Sequence, residues 1–314
     1  MDYYLDPELA LLAAMIPPLD WSDVAGVREF TAQTYAQIPA YQSGQPLTVT
    51  DVTIPGGADA PDIPGRVYTR AGSTAPVPGL IYLHGGGFVS GNLEGADNTG
   101  RIIADEAGVA VLVPDYRLAP EHPYPASLDD CYATLDWIAR TGADYGIDTG
   151  HIGVLGDSSG AALAAGLTIL DRDRGGSRLA AQFLDGAVTD NWLATHSMRT
   201  MTDAPVWQPR NSRFTWRHYL GDLADDPDLP ISAVPGRARA EDLTGLPPAY
   251  VSCYQVDPNR DEALDYARRL TEAGVPTEVH QYSGAFHLAH AFPGTAIGAR
   301  MLADRHAAIR RLLQ

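Results

Sequence analysis

The chain has 314 residues, 45% of them hydrophobic, and a formal net charge of −17; its 22 basic side chains are all arginines. That is enough apolar material for one large α/β core, alone or with a lid. The absence of lysine excludes a Walker lysine, a pyridoxal Schiff base and a lysine nucleophile, and the acidic balance argues against nucleic acid and disfavours anionic substrates.

Cys131 and Cys253 fall in a predicted helix and a predicted strand, and are expected to be buried free thiols with neither a disulfide framework nor a metal spacing. The apolar stretch Leu9 to Ile16 follows Asp2, Asp6 and Glu8, which is not the pattern of a signal peptide. No apolar run approaches the roughly 20 residues that span a bilayer. The expectation is a soluble, cytoplasmic protein with no membrane partner.

Residues 1–45 read as helical, with Asp6 as N-cap, Pro7 at the first helical position, a break at Pro17-Pro18 and a second helix over 23–37. Alternating, β-branched residues predict strands over Leu47 to Ile54 and Gly65 to Arg70, suited to an antiparallel sheet edge. Short apolar runs follow at Leu80–Leu83, Val109–Val113, His151–Leu155, Gln182–Leu184, Ala249–Tyr254 and Thr277–Tyr282. Helical patterns over 98–107, 126–140, 159–173 and 260–273 separate most of them, and another over 294–313 follows the last. Such alternation predicts a mainly parallel sheet covered by helices on both faces. Residues 190–235, rich in Trp, Arg, Asp and Pro, do not fit the alternation and read as an insertion that forms a lid with the N-terminal helices.

Gly156-Asp157-Ser158-Ser159-Gly160 lies between the run ending at Leu155 and the small-residue helix from Ala161. A strand, a tight turn and a helix lift the central serine into reach of a substrate, and the flanking glycines let strand and helix pass closely. The motif alone is equally compatible with a helix-capping serine, so its partners decide. His84-Gly85-Gly86-Gly87 follows an apolar run, where three successive glycines let backbone N–H groups turn toward a developing oxyanion. Two of these, with the N–H of Ser159, are the expected oxyanion donors, and His84 is expected to brace the loop. His287, past the last strand, is the expected base, with His280 and His290 as bystanders. The spacing of His287 and His290 lacks a third ligand, so no metal is expected. Asp257, closing the strand from Ala249, is the expected acid, with Asp261 in reserve.

These motifs, with Asp115-Tyr116-Arg117-Leu118-Ala119-Pro120-Glu121 and Asp257-Pro258-Asn259-Arg260-Asp261-Glu262, resemble the hormone-sensitive-lipase-like carboxylesterases over roughly residues 45–314. The resemblance implies an α/β-hydrolase fold with a helical cap. Residues 1–45 and 191–235 would form the cap, and 46–190 and 236–314 the two parts of the core. Ser158 would be the nucleophile, Asp257 the acid, His287 the base, and Gly85, Gly86 and Ser159 the oxyanion donors. Arg117 and Glu121 would be structural. No cofactor, a small-molecule ester as substrate and frequent homodimers are also implied.

Several positions depart from the family. Ser159 replaces the usual alanine, Asn259 a leucine and Leu288 a glycine, while Leu184-Asp185-Gly186-Ala187 stands where an apolar residue followed by Tyr-Pro is usual. The last change is expected to enlarge or reshape a wall near the nucleophile, with Phe88, Gly186 and Leu288 in the pocket. Trp192, Trp207 and Trp216 are expected either to line it or to form the core of the insertion. The expected activity is hydrolysis of short- to medium-chain carboxylic esters through an acyl-enzyme. An amidase or acyltransferase using the same triad, and a non-catalytic small-molecule receptor, are the alternatives.

Overall fold

The computed structural model describes residues 3–57, 60–73, 75–176 and 178–314. Two short helices come first, α1 (Pro7–Ala13) and α2 (Val24–Gln37). As expected, the Asp6 side chain accepts from Glu8 N ahead of Pro7, while the Asp23 side chain accepts from Gly26 N; each satisfies an orphan donor of a first turn. Strands β1 (Leu47–Ile54) and β2 (Ile63–Arg70) form the antiparallel edge, and β2 pairs antiparallel with β4 (Ala110–Pro114).

From there the sheet is parallel. Its order is β1-β2-β4-β3-β5-β6-β7-β8, with β3 Val77–Leu83, β5 Ile147–Asp157, β6 Leu179–Asp185, β7 Ala249–Val256 and β8 Thr277–Phe286. Buried residues of α4 (Ala126–Thr141), α5 (Ser159–Asp173) and α8 (Arg260–Glu272) pack into one large apolar cluster. Those of α3 (Leu93–Ala107) and α9 (Ala296–Leu313) pack into a second cluster. The central strands are therefore buried on both sides, which is why they read as continuous apolar runs. Cys131 and Cys253 are free and buried, as expected.

Three boundaries differ from expectation for local reasons. Helix α3 begins at Leu93, five residues early, because Asn92 caps it by accepting from Gly95 N at 2.9 Å. Helix α9 begins at Ala296 behind Thr295, whose hydroxyl accepts from Gly298 N at 3.1 Å. Strand β8 continues through Phe286, because a register shift after Tyr254 lets Phe286 pair with Val256. The extension carries the chain directly to His287.

Between β6 and β7 lie α6 (His196–Thr200) and α7 (Pro209–Leu220). Ser197 anchors this insertion to the start of α8, donating from N to Asp261 Oδ2 and from Oγ to Pro258 O, both at 2.7 Å. The N-terminal segment is tied across it, Tyr3 donating to Asp203 at 2.5 Å. Arg28 of α2 donates to Val89 O, to Ala119 O and to both carboxylate oxygens of Glu121 at 2.7–2.9 Å.

Candidate active site

Ser158 sits between β5 and α5 with φ 57° and ψ −117°, a strained positive-φ conformation held by its surroundings. A side chain at Gly156 would collide with the backbone of Gly160, and one at Gly160 with the carbonyl of Leu83. Only glycine permits that approach of strand and helix. Ser158 N donates to Asp185 O at 2.8 Å, fixing the turn to the end of β6.

Ser158 Oγ is 2.8 Å from His287 Nε2, and His287 Nδ1 is 2.7 Å from Asp257 Oδ2. The three side chains come from the ends of β5, β8 and β7, and none is more than 2% exposed. A carboxylate only accepts, so Nδ1 carries the hydrogen and Nε2 is left to accept from the serine hydroxyl. Asp257 Oδ1 accepts from Asn259 N at 2.9 Å and from Asn259 Nδ2 at 3.0 Å. The departure at Asn259 thus fastens the acid's second oxygen. Asp261 is turned elsewhere, accepting from Ser197 N and from Arg260.

The loop after β3 runs beside the serine. Gly86 has φ 125° and Gly87 φ 59°, and a Cβ on Gly85 would lie 3.3 Å from Ser158 Cβ. Among the described residues no loop or side-chain acceptor takes the N–H of Gly85, Gly86 or Ser159. His84 braces this loop: its Nδ1 donates to Gly85 O at 2.7 Å and its ring stacks on Tyr116 at 4.4 Å. Tyr116 OH donates to His84 O at 2.7 Å. Burial pushes the His84 imidazole down to about 4, leaving it neutral.

Of the expected wall residues, Trp207 and Gly186 stand next to the base. The Trp207 ring is 5.5 Å from that of His287, and a Cβ on Gly186 would lie 3.6 Å from His287 Cε1 but 2.8 Å from Tyr254 Cε2. The room left by Gly186, which has φ 58°, is taken by the Tyr254 ring. Leu288, also left-handed at φ 58°, makes the turn after the base. Phe88 stacks on Tyr219 at 4.1 Å and packs against Trp216 at 5.0 Å, joining the glycine loop to the core of the insertion. Trp192 is 64% exposed, with the Arg237 guanidinium 4.5 Å over its ring.

Sequence reading passed over Trp21 and Thr215. A Cβ on Gly87 would meet Trp21 Cζ3 at 3.0 Å and Thr215 Cγ2 at 2.7 Å, so both rest on the glycine loop. Trp21 also meets Trp207 edge to face at 4.7 Å. A lone aromatic beyond Pro-Pro carries no periodic signal; only its distant neighbours reveal it. Arg117 is structural as expected, its guanidinium bonded to Asp130 at 2.7–3.1 Å, and Glu121 holds Arg28.

Residues 80–291 match the model of a family described as α/β hydrolase fold. Esterase LipI of Mycobacterium tuberculosis is 38% identical over 270 residues, covering 85% of this chain and 82% of that one. The chain belongs to the hormone-sensitive-lipase-like α/β-hydrolases. Carboxylesterase NlhH of the same organism is 40% identical to this hydrolase over 230 residues, 70% of this chain and 71% of that one. A solved bacterial heroin esterase superimposes on the hydrolase with a TM-score of 0.95 at 38% identity, covering 99% and 98% of the two chains. Among the described residues of the hydrolase no helix is long and apolar enough to cross a membrane.

Proposed function

We propose that the protein is a serine carboxylesterase acting on short- to medium-chain carboxylic esters of small molecules. The observation that carries this reading is the hydrogen-bonded series from Ser158 through His287 to Asp257 beside the glycine loop at Gly85 and Gly86. His287 Nε2 takes the serine proton as Oγ attacks the ester carbonyl, and Asp257 keeps the imidazole in the required tautomer and stabilises the imidazolium. The carbonyl oxygen, now negative, is received by the N–H groups of Gly85, Gly86 and Ser159. Collapse breaks the bond to the alcohol oxygen, which leaves with the proton from His287. Water, deprotonated by His287, then attacks the acyl-enzyme; the acid departs and the serine regains its proton.

In this reading residues 1–45 and 191–235 act as a cap whose Trp21, Trp207 and Thr215 close the site, and Gly186 with Tyr254 bounds the bound ester. A homodimer is the family-derived expectation, and a cytoplasmic location is the sequence-derived one, which two buried free thiols suit.

A chain-length series of activated esters, acetyl through dodecanoyl, tests the proposal on the wild type and Ser158→Ala side by side. The wild type is expected to peak at a short or medium chain, and the variant to lose a factor of about 10³ or more in kcat. Equal activity in the two proteins would overturn the assignment, and a maximum at dodecanoyl would overturn the chain-length range.

A further inference from the structure

A second group of ionisable side chains adjoins the nucleophile through its backbone. Asp157 precedes Ser158, Asp185 supplies the carbonyl that accepts Ser158 N–H, His290 lies three residues past the base, and Arg305 comes from α9. None of these side-chain bearers is more than 6% exposed. His290 Nε2 is 3.4 Å from Asp157 Oδ2, and its Nδ1 is 3.5 Å from Asp185 Oδ2. Arg305 Nη1 bridges the same carboxylates at 3.2 and 3.4 Å. Tyr82 OH donates to Asp157 Oδ2 at 2.8 Å, while the hydroxyls of Ser252 and Tyr254 donate to Asp185 Oδ1. The Tyr254 hydroxyl also lies 2.7 Å from His290 Nδ1.

Two carboxylates face two cations, so the group is neutral only while His290 holds its proton. The ligand atoms of Asp157, Asp185 and His290 lie within 4.8 Å of one another, but Arg305 already supplies a cation between the carboxylates, which leaves a metal no role there. An unbalanced charge at this depth is costly and is relieved by movement or by water. Three neighbours would feel it: the Ser158 turn hung on Asp185 O, the Tyr254 ring packed at Gly186, and the His287 ring, which Tyr254 meets edge to face at 6.3 Å. A net negative charge would also oppose the oxyanion that forms at Ser158.

We propose, building on the esterase reading, that His290 is a positioning residue for the attack of Ser158: with Arg305 it cancels the charge of Asp157 and Asp185 and so keeps the serine turn and Tyr254 aligned with His287. Burial works against its proton, but the fields of Asp185 and Asp157 outweigh it and hold its pKa above the ordinary histidine value. The groups facing it are Asp157 of β5, Asp185 of β6, Tyr254 of β7 and Arg305 of α9, with Tyr82 of β3 on Asp157 and the neutral His306 of α9 farther off. As pH rises through that raised pKa the group gains one negative charge, and activity declines.

The test compares wild type, Ser158→Ala, His290→Gln and the double variant His290→Gln/Asp157→Asn. Read out are the rate of Ser158 labelling by an organophosphonate, kcat and KM on an activated ester, their pH profiles and the melting temperature. Gln removes the positive charge and keeps a hydrogen-bonding side chain; Asn then removes one negative charge and restores neutrality. His290→Gln is expected to label and turn over about tenfold more slowly with KM within about threefold, and to lose the alkaline decline. The double variant is expected to recover to within about threefold of wild type. A His290→Gln protein as fast as wild type overturns the proposal, as does a double variant no faster than the single one when both melt like wild type. If His290→Gln does not fold, the double variant decides alone: recovery upholds charge balance, and a slow or unfolded protein overturns it. A wild type that labels but cleaves no ester defeats the esterase reading and leaves the labelling rates to judge His290, whereas one that does not label defeats both.

Discussion

Ser158, Asp257 and His287 end strands locked by sheet pairing and by glycines that admit no side chain. Trp21, Trp207 and Thr215 reach the same place from an N-terminal segment and an insertion held by apolar packing, Leu9 against Tyr254 and Phe286 and Trp216, Tyr219 and Leu220 in the main cluster, and by the side-chain bonds of Tyr3 to Asp203, Arg28 to Glu121 and Ser197 to Asp261. The Arg28–Glu121 pair is partly exposed, where such pairs contribute about 0–1 kcal/mol. The contrast teaches that the reacting geometry belongs to the strand ends, while the proposed cover meets the site through side chains that come from elsewhere in the chain. Changes on the sheet side should therefore read in kcat, and changes in the cover in KM.

The largest effect is expected on the sheet side. Asp257→Asn keeps the shape but no longer enforces the tautomer of His287, and kcat should fall by roughly 10³–10⁴ with KM little changed. Steady-state kinetics check this, and a loss below about tenfold would count against Asp257 as the acid.

Acid is expected to act next, through two buried histidines of the core. Burial pushes His84 down to about 4 and His306 down to about 3, so both are neutral when folded and protonate more readily when unfolded. The unfolded chain then binds more protons below the ordinary histidine pKa, and stability falls as pH drops from about 6.5 toward 4, by about 1.5 kcal/mol per histidine between pH 6.5 and 5. His290 has the opposite sign, since its raised pKa gives stability that is complete below the unfolded value and lost as pH rises through the folded one. Denaturant titrations from pH 5 to 9 should show losses on both sides of neutrality; a flat acid side would contradict buried neutral His84 and His306.

The smallest effect is expected in the cover. Trp207→Phe removes the bond from Nε1 to Ser212 Oγ at 2.8 Å and part of the surface facing His287. KM should rise by about threefold to tenfold while kcat stays within about threefold. A kcat loss as large as that of Asp257→Asn would erase the distinction between sheet and cover.

Much of this was legible in the sequence because local physics produces it. Apolar runs marked the strands buried on both faces, Asp6 with Pro7 announced the first helix, and Gly156 and Gly160 signalled a turn that no side chain fits. The expected nucleophile, base and acid were each readable as a residue type at a strand end, and the structure brings them together. Tertiary structure alone decided what depends on residues far apart in the chain: Trp21 resting on Gly87, Tyr254 filling the room at Gly186, Asn259 fastening Asp257, and His290 balanced with Arg305 against two carboxylates. A periodic pattern reports which face of an element is buried. Which partner waits on that face, and with what charge, is set only when the strands are laid side by side.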